Sequence, residues 1–215
     1  MILTTREFGN LALHVGDDEV RVRANRARLA EKLGVPWVQF MHQVHGDQVA
    51  VVDRVSEDDI DGVDALVTST PGVAIAVLVA DCVPVVIAGK SAVAVVHAGR
   101  RGVAAGVVDV AVSAVRQRDA DPLHAVVGPA ICGQCYEVPA QMQTEICESA
   151  PEARTTTSRG TPGLDLPAAV RAQLARAGVT VDPGVGPCTF EDHAYYSHRR
   201  EKATGRFAAV AVLVS

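Results

Sequence analysis

Short valine-rich runs gathered in clusters, with helical patterns set between the clusters, predict an α+β or mixed α/β layered fold for this chain. A simple alternating parallel sheet would show a helix after nearly every strand. Three runs carry the argument: Val73 to Ala80, Val83 to Ala88 and Ala92 to Val96. They follow one another with little more than Asp81-Cys82 and Gly89-Lys90-Ser91 between them. Runs so short and so apolar read as neighbouring buried strands. A last run, Phe207 to Val214, reads as a strand far from these in sequence.

The remaining elements follow in order. Asp17-Asp18 opens a pattern that runs to Gly34, which gives a helix with an aspartate cap and a glycine stop. Trp37 to Met41 and Gln48 to Val52 read as strands on either side of a loop holding His45, and Ala65 to Thr68 as a short strand. Val103 to Arg116 reads as a helix rich in Ala and Val, and Ala125 to Val127 as a strand. Helices are expected over Val138 to Cys147 and Leu166 to Ala177, the second stopped by Gly178. Arg154 to Gly163, with Thr, Ser, Gly and Pro in close order, is the most loop-like stretch.

With 215 residues, the simplest organisation is one domain over 1–215. Aromatics are only 4% of the chain, so the core must be built from Val and Ala. The net charge of −5 speaks against non-specific nucleic-acid binding. The longest apolar run, ended by Asp81, is too short for a membrane span, and the first residues lack a signal-peptide pattern. The expected compartment is the cytoplasm. Five cysteines at irregular spacing do not suggest a disulfide framework there.

Three side chains stand where strands run out into loops: His45 in Gln-Val-His-Gly, Cys82 in Ala-Asp-Cys-Val-Pro, and His97 in His-Ala-Gly-Arg-Arg-Gly. Two imidazoles and a thiolate can hold zinc or copper with a fourth position open. A third chemistry needs no metal: Cys82 as nucleophile, activated by His97. In an extended segment Gln43 shares a face with His45, and His42 points away. Asp81 is a candidate to orient a metal-bound histidine or to act as general base. Gly99-Arg100-Arg101-Gly102 runs into a helix, a place for phosphate or carboxylate, with one of the two arginines facing the pocket. Cys132-Gly-Gln-Cys135 has redox or zinc spacing, but no second Cys-x-x-Cys completes it. These two read as ordinary loop cysteines, and Cys147 and Cys188 as packing residues.

An ordered set of motifs spans essentially the whole chain. It comprises Asn10-Leu-Ala-Leu-His14, Asn25-Arg26, Gln43-Val-His45-Gly, Ala80-Asp-Cys82-Val-Pro, His97-Ala-Gly-Arg-Arg-Gly102, Gly128-Pro-Ala-Ile and Tyr136-Glu-Val. It ends with Cys188-Thr, Tyr196-Ser-His-Arg-Arg-Glu and Thr204-Gly-Arg206. The set resembles the multicopper polyphenol oxidase (laccase-like) family, also described as peptidoglycan editing factors and as zinc-dependent purine nucleoside phosphorylases. The resemblance implies an α/β/β/α layered fold with mixed sheets, shared distantly with cysteine-hydrolase toxin domains. It implies His45, Cys82 and His97 as ligands of zinc, with copper as the other option, and Cys82, His45, His97 and Asp81 as catalytic groups. It also implies phosphorolysis of adenosine, inosine, guanosine and methylthioadenosine, and deamination of adenosine. Arg101, Arg26 and His14 are then expected to hold phosphate, and Gln43, Asp81 and Asn10 to orient base or ribose. One departure stands out, since Arg100 occupies a position where the family usually carries Trp. The rival readings are a copper-dependent phenol oxidase, an amidase or hydrolase of cell-wall precursors, and a non-catalytic metal-binding partner protein. The sequence leaves both monomer and homodimer open.

Overall fold

A computed structural model describes residues 2–184 and 186–214. Strand β1 (Ile2–Leu3) leads to helix α1 (Glu19–Leu33), followed by four short strands: β2 (Val38–Gln39), β3 (Met41–His42), β4 (Val49–Val51) and β5 (Ile60–Asp61). The buried strands come next: β6 (Ala65–Thr68), β7 (Ala74–Val79), β8 (Val83–Ala88) and β9 (Val93–Ala98). Helices α2 (Arg100–Ala105) and α3 (Val107–Arg116), strand β10 (His124–Val127) and helix α4 (Ala140–Ser149) follow. The chain continues through β11 (Arg154–Thr156), β12 (Pro162–Leu164), α5 (Leu166–Arg176), β13 (Thr180–Val181), α6 (His198–Glu201) and β14 (Phe207–Val212).

Two mixed sheets stack face to face. One has the strand order β1-β14-β7-β2, the other β13-β10-β8-β9-β6-β4. Strand alternation explains the layering, because successive side chains of each central strand feed different cores. On β7, Ile75, Val77 and Val79 point into the layer between the sheets, where they meet Val86, Val93 and Val95 of the larger sheet. Ala74, Ala76 and Leu78 point the other way and pack under α1 with Leu29 and Ala30. The far face of the larger sheet, with Val85, Ile87, Ala94 and Val96, is covered by Val107, Val108, Ala111, Val112 and Val115 of α3 and by Ala169, Val170 and Leu174 of α5. The result is the α/β/β/α order. Strands buried on both faces must be apolar at every position, which is why the runs show no polar alternation.

Several elements differ from expectation. The segment read as one strand from Trp37 to Met41 is two: β2 pairs with β7, while β3 pairs with β5 in a separate two-stranded sheet. The break falls at Phe40, a buried side chain whose carbonyl accepts from the Ile60 N–H at 3.1 Å. The helix expected from Val103 begins earlier, at Arg100, and is cut at Gly106, which takes φ +87° and closes α2 before α3 starts. Helix α4 starts after Pro139, two residues later than expected, because the Val138 N–H is committed to the Pro162 carbonyl. The stretch read as loop, Arg154 to Gly163, contains the β11–β12 hairpin. Its turn is held by the Thr157 and Thr161 hydroxyls, 2.6 Å apart. Thr155-Thr156-Thr157 is a β-branched run, and that is the signal for the strand. Among the described residues, no helix is long and apolar enough to cross a membrane.

The segment before β14 is tied to the start of the chain. Arg6 donates twice to the Glu201 carboxylate, at 2.5 and 2.8 Å, and Arg200 and Thr204 also donate to it. The hydrogen bond from Arg6 is the largest cause holding the Glu201 carboxyl down at about 2. A depressed carboxyl contributes stability above its unfolded pKa and loses it as pH falls through the folded value. Glu201→Gln is therefore expected to cost about 1 kcal/mol at pH 7, since the pair is partly exposed. Melting curves of variant and parent should differ by about 2–4 °C at pH 7 and converge toward pH 2.

Candidate functional site

His45 lies in the loop between β3 and β4, Cys82 in the link between β7 and β8, and His97 one residue from the end of β9. Each is placed by a local constraint. His97 keeps the register of Val93 and Val95 and so points between the sheets, at the point where the apolar core gives out. Cys82 closes the link by which the chain passes from the smaller sheet to the larger one. His45 has φ +62°, and Asp81, next to Cys82, has φ +86°. Only one other non-glycine residue among those described has positive φ. Such backbone is costly and persists where surrounding bonds over-determine it.

The bonds around His45 come from Asp64, a fully buried carboxylate at the start of β6. Its Oδ1 accepts from the His45 N–H at 2.9 Å, and its Oδ2 from the N–H groups of Gly46 and Val44 at 2.6 and 3.2 Å. Asp64 Oδ1 also lies 2.7 Å from His97 Nδ1, and the Asp64 carbonyl accepts from the His97 N–H. Burial alone would raise the Asp64 carboxyl; the His97 bond and the loop N–H groups outweigh it and hold the group below its ordinary range. With Nδ1 bonded to a carboxylate, His97 has Nε2 left for the site.

The donor atoms of His45, Cys82 and His97 lie within 4.8 Å of one another. The two imidazole rings meet edge to face at 4.7 Å, and Cys82 Sγ is 3.8 Å from His45 Nε2. Gly99 makes room for this approach, since a Cβ there would stand 2.7 Å from His45 Cδ2 and 3.3 Å from Cys82 Sγ. Burial opposes ionisation of the thiol, but the His97 charge and hydrogen bonds from both histidines bring Cys82 down to about 6. His97 goes the opposite way: burial lowers it, while Cys82 and Asp64 raise it to about 9. A thiolate between two nitrogens, backed by a buried carboxylate, fits a divalent transition metal.

The triad lies in the lining of a cavity of about 440 Å³, within the range of about 300–1,000 Å³ typical of small-ligand sites. Three arginines, Arg100, Arg199 and Arg206, line it with Tyr136, His14 and His198. Arg199 lies over the Tyr136 ring at 4.9 Å, and Arg100 reaches the Tyr136 hydroxyl at 3.3 Å. Burial lowers the pKa of His14, helped by the charge of Arg206.

The other expected residues divide into two groups. Gln43 lines the cavity and exchanges two hydrogen bonds with the Leu78 backbone, at 2.8 and 2.9 Å. Asp81 lines it too, but its oxygens accept from the Thr189 hydroxyl and the Arg199 N–H, at 2.7 and 2.6 Å. Orientation of the histidine falls to Asp64. Arg100 faces the cavity in place of Arg101, which donates to the Val44 carbonyl and braces the His45 loop. Arg26 is buried, paired with both oxygens of Asp59 and stacked on Phe40. Asn10 is spent on the Ala12 and Arg206 backbone and on Asp17. Neither Arg26 nor Asn10 lines this cavity. Tyr136 and His198 stood inside motifs of the sequence without a role given to them, whereas Asp64, between a short linker and a strand, carries no local signal. Cys132 and Cys135 are not isolated loop cysteines, because Cys188 and Glu191 converge on them.

A layered α/β/β/α protein with a metal-capable His-Cys-His triad at the open edge of its inter-sheet layer is the class defined so far. The family described as multi-copper polyphenol oxidoreductase laccase matches residues 5–214, and the chain belongs to it. It is 48% identical over 210 residues to a purine nucleoside phosphorylase of Mycobacterium tuberculosis, covering 94% of this chain and 83% of that protein. A purine nucleoside phosphorylase of Streptomyces coelicolor is also 48% identical, over 206 residues, covering 93% and 85%. Among solved structures, Neisseria meningitidis protein NMB0706 superposes with a TM-score of 0.84 at 35% identity, covering 96% of this chain and 86% of the other. YlmD of Geobacillus stearothermophilus gives 0.83 at 32%, covering 96% and 85%.

Asp64→Asn would place an amide NH₂ against N–H donors and weaken the grip on His97. The expected outcome is a divalent-metal affinity about 10–100-fold lower, read by competition with a chromophoric chelator, and a stability loss of about 2 kcal/mol. Affinity equal to the parent's would remove Asp64 from the account of the site.

Proposed function

We propose that this protein is a zinc-dependent purine nucleoside phosphorylase that also deaminates adenosine. The observation that carries the reading is the His45-Cys82-His97 triad set in a ligand-sized cavity walled by three arginines. The relatives named purine nucleoside phosphorylase, at 48% identity over nearly the whole chain, support it. Adenosine, inosine, guanosine and methylthioadenosine are the proposed substrates, with phosphate as co-substrate and the cytoplasm as the compartment.

In phosphorolysis the bond between ribose C1′ and the purine nitrogen breaks, a bond from C1′ to a phosphate oxygen forms, and the departing base takes up a proton. A phosphate dianion entering this cavity meets Arg100, Arg199 and Arg206, with Asp81 as the one carboxylate among the described residues of the lining. Asp81 is already engaged by Thr189 and the Arg199 N–H, which limits its repulsion of an anion. Guanidinium groups suit a tetrahedral oxyanion because they donate in pairs from a fixed plane. Arg206 is half-buried, and burial lowers its pKa; a desolvated cation of this kind acts strongly on a charge brought beside it. Tyr136, with Arg199 over its ring, brings an aromatic side chain to the wall, and Leu78 and Ile131 add apolar surface for a purine. His14, whose pKa burial lowers, can donate or accept a hydrogen bond at the ribose or the base. His45, Cys82 and His97 would hold the zinc, which when bound supplies Lewis-acid polarisation of the reacting groups.

The test is release of free base from inosine and adenosine by zinc-loaded protein, with and without phosphate, beside Cys82→Ala. Phosphate-dependent release, lowered at least about 100-fold in the variant, is expected. Arg206→Ala should raise the KM for phosphate more than that for the nucleoside. No base release from any of the four nucleosides would remove this reading and leave a cell-wall amidase as the leading one.

A further inference from the structure

We infer that Cys132, Cys135, Cys188 and Glu191 form a second metal site, a structural one for Zn²⁺, separate from the triad and from its cavity. The four donor atoms lie within 4.8 Å of one another. Tetrahedral zinc with bonds of about 2.3 Å to sulfur brings neighbouring sulfurs to about 3.8 Å, so small side-chain rotations close the shell. All three cysteines are partly buried free thiols.

The backbone supports this reading independently of the side-chain cluster. Cys132 and Cys135 sit on a turn in which the N–H groups of Cys135 and Tyr136 both donate to the Cys132 carbonyl, each at 3.0 Å. Cys188 and Glu191 sit on a second turn of the same kind, with the N–H groups of Glu191 and Asp192 donating to the Cys188 carbonyl at 3.1 and 2.8 Å. Each turn therefore offers two donors at positions i and i+3, and the two turns face each other. They are held in register by a parallel bridge between Ala130 and Cys188, with the Thr189 N–H donating to the Ala130 carbonyl at 3.1 Å. The Cys132 N–H also points at Cys188 Sγ, at 3.4 Å, an arrangement that stabilises a thiolate. Two thiol-bearing turns with amides aimed at sulfur are the geometry of closed structural zinc sites, and soft thiolates select such a metal over magnesium or calcium.

The location gives the site a role. One turn leads into Tyr136 and the other into the segment that carries His198, Arg199 and Arg206, all in the lining of the cavity at the triad. Thr189, next to Cys188, bonds Asp81, the neighbour of Cys82. A zinc here would clamp two walls of the cavity together without touching substrate.

The measurement is metal stoichiometry and the cobalt spectrum of the full chain under reducing conditions. The parent protein is expected to bind about two equivalents of Zn²⁺, and Cys82→Ala about one, with thiolate-to-cobalt charge-transfer absorption kept in the variant. Glu191→Gln, a change at an exposed side chain, should weaken the second equivalent about 10-fold or more, and Glu191→Cys should tighten it. One equivalent in the parent with none in Cys82→Ala would overturn the inference. So would a second equivalent whose affinity neither Glu191 variant changes, or a Cys132–Cys135 disulfide in protein prepared without oxidant.

Discussion

Everything at the site depends on one buried carboxylate. Asp64 accepts from three consecutive backbone N–H groups of the His45 loop and from the ring of His97, so a single side chain sets both histidines. A buried carboxylate is costly unless its oxygens are fully bonded, and here they are. The same bonds hold His45 at a positive φ that histidine does not adopt freely. The site is thus rigid before any ligand arrives, and its geometry is fixed by the start of β6, which is hydrogen-bonded along its length to β9.

The cavity above the triad shows a different division of labour. Its arginines come from two distant parts of the chain, the start of α2 and the segment before β14. Tyr136 joins them, bonded to Arg100 and covered by Arg199. Arg100 and Tyr136 meet in this wall, so the lining carries charge and an aromatic ring side by side.

The Val-rich strands, α1 with its caps, α5, and the triad itself were legible in the sequence because each depends on local pattern: apolar runs, an Asp cap with a Gly stop, and strand ends with metal-capable side chains. What could not be read depends on distant partners. Asp64 lies 33 residues from His97 in sequence and becomes visible only when β6 is laid beside β9. Arg101 and Arg100 are adjacent, and only the helix start at Arg100 decides which one turns to the cavity. Arg26 and Asn10 stand inside motifs that point to substrate, but their bonding is spent on the fold. The pairing of Cys132-x-x-Cys135 was missed because its other half is Cys-x-x-Glu, brought in by the bridge between Ala130 and Cys188.

Strand β14 lies in the interior of its sheet, between β1 and β7. Every other described strand leaves the ribosome before it, so the smaller sheet has a gap until this last piece arrives. Pairings over such sequence separation form late, because their loop-closure entropy must be met before the contacts reward it. Arg206 directly precedes β14 and enters the cavity wall with it. A nascent chain can therefore bring its two histidines, its thiol and Arg100 together while Arg199 and Arg206 are still missing from the cavity wall. The order of synthesis sets the metal-capable triad apart in time from the completed cavity wall, and it leaves an unpaired edge on β7 exposed to other chains during that interval.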